Sequence, residues 1–222
     1  MKNLTWQNPE QLFVAQELIK KVKLKCCGIK EIQNKMKNFN PKAWFMPQAV
    51  LVIGTYDADG TPNAMNAGWA GQWDNDKIMI SMGSHQTTVN LNANPDFTVA
   101  FATTETLVAA DYVGVVSGKK VKDKVAKTGW KVEKGEQVNA PVFTDFPMTM
   151  ECRIERKIDE SETGYYIVAK ILNIRVNEEY LAEDGKPDLE KMHLLTFDPV
   201  HLGYLEIGKR VGNAAKDGTQ LK

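Results

Sequence analysis

The stretch AVLVIGTYDADG, residues 49–60, decides how this chain begins to fold. Its first half is apolar and rich in β-branched residues, which is typical of a β-strand. The DADG that follows supplies turn residues, and Gly60 suits a position with positive φ. The next residues, TPNAMNAGWAGQW, are too irregular for a helix and too apolar for an ordinary surface loop. A strand and a tight turn therefore lead into a run of small residues that ends in tryptophan.

Several further segments have the pattern of short strands joined by hairpins. We predict strands at KIMISMG and FTVAFATT, and a long hairpin from FTDFPMTMECRIERKI through the turn DESETG to YYIVAKILNIRV. Short helices are predicted at QTTVNLNANP and at ETLVAADYVGVVSG. No alternating β-α-β-α rhythm is present. The pattern favours a mainly β fold, a closed or partly closed antiparallel barrel with peripheral helices.

The first 40 residues have a different character. In NPEQLFVAQELIKKVK, Asn8 can cap a helix, Pro9 fits the first helical position, and apolar residues recur on one face. We interpret this helix as packed on the outside of its own domain; a dimer or regulatory arm is the alternative. The predicted organisation is a helical extension over residues 1–39 and a β domain over residues 40–222.

Composition and charge exclude several classes of function. The 222 residues include 28 Lys and Arg and 28 Asp and Glu, so no global field recruits nucleic acid or a membrane. No run approaches the roughly 18 apolar residues of a membrane span, and the N-terminus MKNLTWQNPEQ lacks the pattern of a signal peptide. We therefore expect a soluble cytoplasmic protein with no nucleic-acid or membrane partner.

The chain lacks the common motifs of catalytic side chains. Its three cysteines and three histidines include no C-x-x-C spacing, which argues against a zinc site, and we expect no metal. Cys26 and Cys27 are interpreted as free thiols because adjacent cysteines pair only with strain. The G-x-G-x-x-G, G-x-x-x-x-G-K-[ST], G-x-S-x-G and H-E-x-x-H motifs are absent. If the protein is an enzyme, a cofactor rather than a catalytic residue carries the chemistry.

Two downstream stretches could bind an anion. SMGSHQTTVN, residues 81–90, places hydroxyls and a histidine between a strand and a helix, where free N–H groups and the helix dipole favour phosphate. The alternative is simple N-capping by Thr87 or Thr88. SGKKVKDKVAKTG, residues 117–129, carries five lysines that could bind an anion or simply form a solvated face.

The small residues after the first turn could bring the main chain close to a planar ligand. Asn63 and Asn66 can donate to carbonyl oxygens, and Trp69 can supply an apolar wall. These are features that a flavin mononucleotide (FMN) requires, together with donors and positive charge for its phosphate. The alternative is that Trp69 and Trp73 are core anchors and that the glycines serve turns; for Trp73 we favour this alternative. The small residues are Ala64, Ala67, Gly68, Ala70 and Gly71.

Four stretches occur in an order that resembles the flavin reductase-like, FMN-binding split-barrel family, and in particular its flavoredoxin-like branch. They are DADGTPNAMNAGWAG, KIMISMGSHQTTVNL, VSGKKVKDKVAKTGW and APVFTDFPMTMECRI. The resemblance covers roughly Asn40 to Ala215. It implies a six-stranded antiparallel Greek-key split barrel with peripheral helices, a homodimer, and FMN near the subunit interface.

The resemblance also implies roles for individual residues. Asn63 and Trp69 would line the isoalloxazine ring together with the main chain from Met65 to Gly68. The residues implied to hold the phosphate and ribityl chain are Ser84, His85, Thr87 and Thr88. Lys124 would approach the phosphate or the flavin edge. His85 stands where relatives often carry Lys or Arg, so Lys124 would balance part of the phosphate charge. The implied FMN-binding residues are Asn63, Ala64, Met65, Asn66, Ala67, Gly68, Trp69, Ser84, His85, Thr87, Thr88, Lys124 and Tyr204.

The function that the resemblance implies is an FMN-binding oxidoreductase that transfers electrons from NAD(P)H to flavin. An FMN-containing electron carrier that exchanges electrons with protein partners is the alternative, and a flavin-free interaction protein on the same barrel is a third. Two histidines stay open. His193 could approach the flavin from a loop or from a partner subunit, whereas His201 is interpreted as structural.

Overall fold

The computed structural model describes residues 36–161 and 164–221. The chain divides into two compact units, Met1–Lys42 and Ala43–Lys222. In the described part of the first unit the chain has no regular secondary structure, and the Lys37 ammonium lies 5.4 Å from the centroid of the Phe39 ring.

The predicted N-terminal helix and the pair Cys26 and Cys27 lie outside the described residues. The predicted boundary between residues 39 and 40 stays a prediction. All the helices and strands of the described residues belong to the second unit.

The second unit is mainly β, as predicted. Its strands are β1 (Gln48–Ala49), β2 (Leu51–Tyr56), β3 (Pro62–Ala67), β4 (Ala70–Asp74), β5 (Lys77–Gly83), β6 (Asp96–Phe101), β7 (Val132–Lys134), β8 (Pro141–Phe143), β9 (Met148–Ser161), β10 (Gly164–Val176), β11 (Leu195–Asp198) and β12 (Gly203–Glu206). The helices are α1 (Gln86–Ala93) and α2 (Leu107–Val115). Short 3-10 turns cover Ala126–Thr128, Glu178–Tyr180 and Asp217–Leu221.

Seven strands form one antiparallel sheet in the order β3-β2-β6-β9-β10-β5-β4. Its two edge strands, β3 and β4, follow each other in sequence and are separated only by Gly68 and Trp69. The sheet therefore curls until its edges meet at this point, and the Ser81 N–H donates to the carbonyl oxygen of Trp69 at 2.9 Å. This curled sheet confirms the predicted antiparallel barrel, with seven strands where the resemblance implied six.

The run of small residues after the first turn is regular, unlike the irregular segment expected from its composition. The turn itself forms as predicted: the Gly60 N–H donates to the Asp57 carbonyl at 2.9 Å, and Gly60 has φ +84°. Pro62–Ala67 then pairs along the whole of β2. The tight turn sets this register, because it returns the chain directly onto the exposed edge of β2.

The barrel interior is filled by alternate strand positions, as a period of two requires. On β5 the inward residues are Ile78, Ile80 and Met82, and the residues between them are less buried. The thiol of Cys152 lies in the same cluster and is free. Burying each large apolar side chain stabilises the fold by about 1.5–3 kcal/mol.

A second apolar cluster involves residues of β2 and β3, helix α2 and strand β11. Gly114 of α2 packs tightly on β3, because a Cβ at this position would lie 2.8 Å from the Cβ of Asn66. Strands β1, β11 and β12 form a separate three-stranded sheet. This sheet places Phe197 and Tyr204 against the second cluster.

Trp73 is not a core anchor, so that prediction is wrong. Its side chain is 46% exposed and lies over the Arg156 guanidinium, with 5.2 Å between the ring centroid and Cζ. The pairing of β4 with β5 is irregular between Gln72 and Asp74. Trp73 is the extra residue there, on an edge strand that pairs only with β5 among the described strands.

Within the described part of the chain, no helix is long and apolar enough to cross a membrane.

Candidate functional site

A large cavity of about 630 Å³ opens where the edges of the barrel meet. One wall is the end of β3 and the link to β4, and another is formed by Phe197 and Tyr204 of the small sheet. The predicted site residues that line it are Met65, Asn66, Ala67, Gly68, Trp69, His85 and Tyr204. Trp69 is 68% exposed and stands at the opening.

A small cavity of about 230 Å³ adjoins the large one, since Met65, Asn66 and His85 line both. Its other walls come from the start of α1, the end of α2 and the lysine-rich loop. The predicted site residues found only here are Asn63, Thr87 and Lys124.

Ser84 and Thr88 line a third space, the side cavity, of about 160 Å³, in which His85 again takes part. His85 is thus common to all three cavities. Ala64 lines none of them, because its side chain is fully buried in the second apolar cluster. The structure therefore brings together twelve of the thirteen predicted residues, but divides them among adjoining spaces.

His85 caps helix α1, not Thr87 or Thr88. The His85 N–H donates to the Thr88 hydroxyl at 3.2 Å, and that hydroxyl donates to the Gly83 carbonyl. The N–H groups of Gln86 and Thr87 lie in the first turn, where a helix has no carbonyl acceptor for them. Since both residues line the small cavity, the positive end of the helix dipole lies beside that cavity.

Lys124 brings a buried cation to the small cavity. Its side chain is only 3% exposed, and its ammonium donates to the carbonyl oxygens of Val113 and Val116, each at 2.8 Å. Burial lowers the pKa of this ammonium to about 8, although the charge of Asp57 opposes the shift. Two of its three donors are used by these carbonyls, which leaves one for a ligand.

His85 contributes little positive charge to the cavities. Burial lowers the pKa of its imidazole, and the charges of Lys119 and Lys124 lower the pKa further. The ring is therefore mostly neutral at pH 7. Positive charge in the small cavity comes from Lys124 and from the helix terminus.

Asn63 forms part of the floor of the small cavity. Its side-chain amide donates to the hydroxyl of Thr87 at 2.9 Å and to that of Thr55 at 3.4 Å. Gly118 lies directly above it, because a Cβ on this glycine would lie 2.5 Å from the Oδ1 atom of Asn63. Asn63 does not line the large cavity, where a ring-binding residue was expected.

Tyr204 forms a wall of the large cavity and is fixed at both ends. Its ring meets Phe197 edge-on with 6.1 Å between centroids, and its hydroxyl donates to Oδ1 of Asp111 at 2.6 Å. Burial, and then the hydrogen bond to Asp111 and the charge of Asp111, raise the pKa of Tyr204 to about 12. The phenol therefore stays protonated at physiological pH.

Sequence reasoning missed several residues of the large cavity. Ser81 and Gly83 occupy the outward positions of β5, and Tyr165 and Tyr166 open β10. The alternation in KIMISMG could have separated Ser81 and Gly83 from the inward-facing residues. Phe197 offered no local signal, because only the pairing of β11 with β12 brings it here.

His193 and His201 line none of the three cavities. Both side chains are exposed, and each pairs with a carboxylate: His193 with Glu206 at 2.7 Å and His201 with Asp198 at 2.8 Å. Among the described residues, no group of His, Cys, Asp and Glu could hold a metal ion.

The arrangement suits one class of ligand. The large cavity, with aromatic walls and a main chain that carries no side chain at Gly68, can accept a planar ring. The small cavity, with a cation and a helix N-terminus, can accept an anionic group.

Comparison with known proteins shows the family to which the chain belongs. Residues 44–198 match the family described as a flavin reductase like domain. The flavoredoxin of Desulfovibrio vulgaris (Miyazaki F) is 29% identical, with a TM-score of 0.78 over 83% of this chain and 100% of that one. A flavoredoxin from Methanosarcina acetivorans is also 29% identical, with a TM-score of 0.76 over 85% and 100% of the two chains.

The fold is shared more widely. The 2-nitrobenzoate 2-nitroreductase of Pseudomonas fluorescens has a TM-score of 0.67 at 16% identity, over 86% of this chain and 94% of that one. A comparison with curated proteins gives no significant match.

Proposed function

Because this chain belongs to the flavin reductase like family, we propose that it binds FMN without a covalent bond and acts as an NAD(P)H-dependent oxidoreductase. One observation carries the proposal: a broad cavity with aromatic walls adjoins a small cavity that holds a buried cation, and three residues line both. A planar ring joined to a phosphate, as in FMN, would suit two such adjoining spaces.

The large cavity fits the ring. Gly68 lines it, and a Cβ at Gly68 would meet nothing within 4 Å, so the main chain there faces open space that a flat ligand can occupy. Trp69 and Tyr204 both line this cavity, and in this assignment their rings lie beside the flavin. Met65 and Asn66, on β3, mark the passage toward the small cavity.

The small cavity fits the phosphate. Lys124 offers one ammonium donor, and the first turn of α1 offers the N–H groups of Gln86 and Thr87. Asn63 positions the Thr87 hydroxyl by its 2.9 Å hydrogen bond, so we assign it a positioning role instead of a contact with the ring. In this assignment Thr88 acts from the side cavity by holding the turn that begins the helix, and Ser84 lines the same cavity.

Bound FMN would supply the redox chemistry, accepting a hydride from NAD(P)H. The chain itself supplies binding, orientation and control of water. Lys124 holds positive charge at the phosphate end, while His85 and Tyr204 stay uncharged near neutral pH. We assign no side chain as a general acid.

An electron carrier is the second candidate. Two flavoredoxins align with this chain over their whole length, and the exposed rings of Trp69 and Tyr166 flank an opening that a protein partner could cover. We also propose a homodimer, since Trp69, Trp73 and Tyr166 leave aromatic surface exposed on the outside of the barrel. Light scattering after gel filtration would give the mass of the assembly.

The deciding experiment has two stages. Purified protein is first titrated with FMN, and quenching of flavin fluorescence gives the affinity; absence of binding would remove the proposal. The holoprotein is then mixed anaerobically with NADH and with NADPH while the flavin absorption is followed. Rapid bleaching supports the oxidoreductase. Bleaching only by a reduced ferredoxin-like protein supports the carrier.

A further inference from the structure

We propose that Asp111 is a positioning residue for the flavin site, holding the ring of Tyr204 against the large cavity through its hydrogen bond with the tyrosine hydroxyl. The inference rests on the proposed function, because its measured effect is on bound FMN. It adds to the site a residue that lines none of the three cavities.

The geometry of the pair carries the inference. The hydroxyl of Tyr204 lies 2.6 Å from Oδ1 of Asp111, although 93 residues separate them in sequence. A hydrogen bond to an ionised carboxylate is shorter and stronger than one between neutral groups. The raised pKa of the phenol keeps its proton in place, so the donor is present throughout the physiological range.

The hydrogen bond matters because Tyr204 lies on a strand at the edge of its sheet. Tyr204 is on β12, an edge strand of the three-stranded sheet that pairs only with β11 among the described strands. The ring is partly buried and has Phe197 on one side. The hydrogen bond to Asp111 fixes the other end of the side chain to helix α2 and so holds the ring in the wall of the cavity.

Helix α2 serves both cavities through neighbouring residues. The carbonyl of Ala110 accepts from the Asn66 amide at 3.3 Å, and the carbonyl of Val113 accepts from Lys124 at 2.8 Å. Asp111 lies between these two acceptors. One short helix therefore holds the wall of the large cavity, the passage between the cavities, and the cation of the small cavity.

The test compares three variants with the wild-type protein by FMN titration. We expect Asp111→Ala and Tyr204→Phe each to weaken FMN binding by about five- to tenfold. Asp111→Asn should keep most of the affinity, because its amide oxygen can still accept from the hydroxyl. The double variant Asp111→Ala/Tyr204→Phe should bind no worse than either single one, since both remove the same contact.

Two controls separate positioning from general damage. Glu105→Ala removes an exposed acid just before the same helix and should leave affinity unchanged. The visible circular dichroism of bound flavin should change in the same way in Asp111→Ala and Tyr204→Phe, which a loss of stability alone would not produce. If Asp111→Ala does not fold, Tyr204→Phe and Asp111→Asn decide the matter by the same readouts.

The outcomes are distinct. If wild-type protein binds FMN and both Asp111→Ala and Tyr204→Phe bind it equally well, the positioning role is overturned while the proposed function stands. Additive losses in the double variant would also overturn it. If the wild-type protein does not bind FMN, the proposed function itself fails.

Discussion

The ammonium of Lys124 donates to the carbonyl oxygen of Val113 at 2.8 Å, which places a cation from the lysine-rich loop at the C-terminal end of helix α2. Positive charge is favourable at this end of a helix. The same ammonium lines the small cavity, so the contact that holds the loop to the helix also directs a charge at the proposed phosphate.

FMN binding should weaken as the pH rises above about 8. Burial lowers the pKa of Lys124 to about 8, so the free protein loses this charge above that pH. A bound phosphate favours the protonated amine, so binding takes up a proton, and affinity should fall by up to about tenfold per pH unit. Fluorescence titrations from pH 6.5 to 9.5 measure the effect.

Lys124→Met is the matched test of this pH dependence. It should bind FMN roughly tenfold to a hundredfold more weakly at pH 7 and lose the decline above pH 8. Lys127→Met, which changes an exposed lysine of the same loop, should behave as wild type. Wild-type affinity that stays constant up to pH 9.5 would contradict the assignment.

Asn63→Ala should reduce both stability and FMN affinity. The amide of Asn63 is buried and donates to two hydroxyls, so its loss should lower the free energy of unfolding by about 1–3 kcal/mol. Urea denaturation measures this. Asn75→Ala, at an exposed turn, should stay within about 0.5 kcal/mol of wild type. Equal stability of Asn63→Ala and wild type would show that the hydrogen bonds of Asn63 contribute nothing to the free energy of unfolding.

Gly118→Ala should disturb the small cavity. The new methyl group would lie 2.5 Å from Oδ1 of Asn63 and 3.1 Å from the Cβ of Gln86, so the loop must move away from the start of α1. FMN affinity should fall by about tenfold or more, because the loop also carries Lys124. Gly71→Ala is the control, since its methyl group would meet nothing within 4 Å. Similar affinity in the two variants would contradict the close approach.

Cys152 should not react with thiol reagents in the folded protein. Its side chain is fully buried, and burial, then the charge of Glu151, raise the pKa of the thiol to about 12. In a Cys26→Ser/Cys27→Ser background, labelling of Cys152 should be very slow until denaturant is added. Fast labelling under native conditions would mean that this part of the barrel opens readily.

Local patterns in the sequence were sufficient for strands β2, β5, β6, β9 and β10 and for the turn at Gly60, but not for β3, which lies in a run expected to be irregular. They were insufficient for the direction of individual side chains. Asn63 and Ala64 both lie in the run of small residues, yet the pairing of β3 with β2 turns Ala64 into the second cluster. The hydrogen bond between Asn63 and Thr87 depends on the tertiary packing of β3 against helix α1.

The surroundings of Trp73 and Tyr204 also could not be predicted from the local sequence. Trp73 resembled a core residue, but an irregular pairing at a sheet edge leaves it exposed. The resemblance implied that Tyr204 binds FMN, and Tyr204 lines the large cavity, but its partner Asp111 carried no motif. A hydrogen bond between distant residues depends on tertiary packing, which short-range periodicity does not encode.

The small sheet gives the large cavity a wall that the barrel core does not contain. The family match ends at residue 198, whereas Tyr204 lies beyond it on β12. The wall of the cavity can therefore be altered separately from the barrel. A library of substitutions in the segment 199–206 would reshape the large cavity while the residues of the barrel interior stay unchanged, so new ligand selectivity could be sought without rebuilding the barrel.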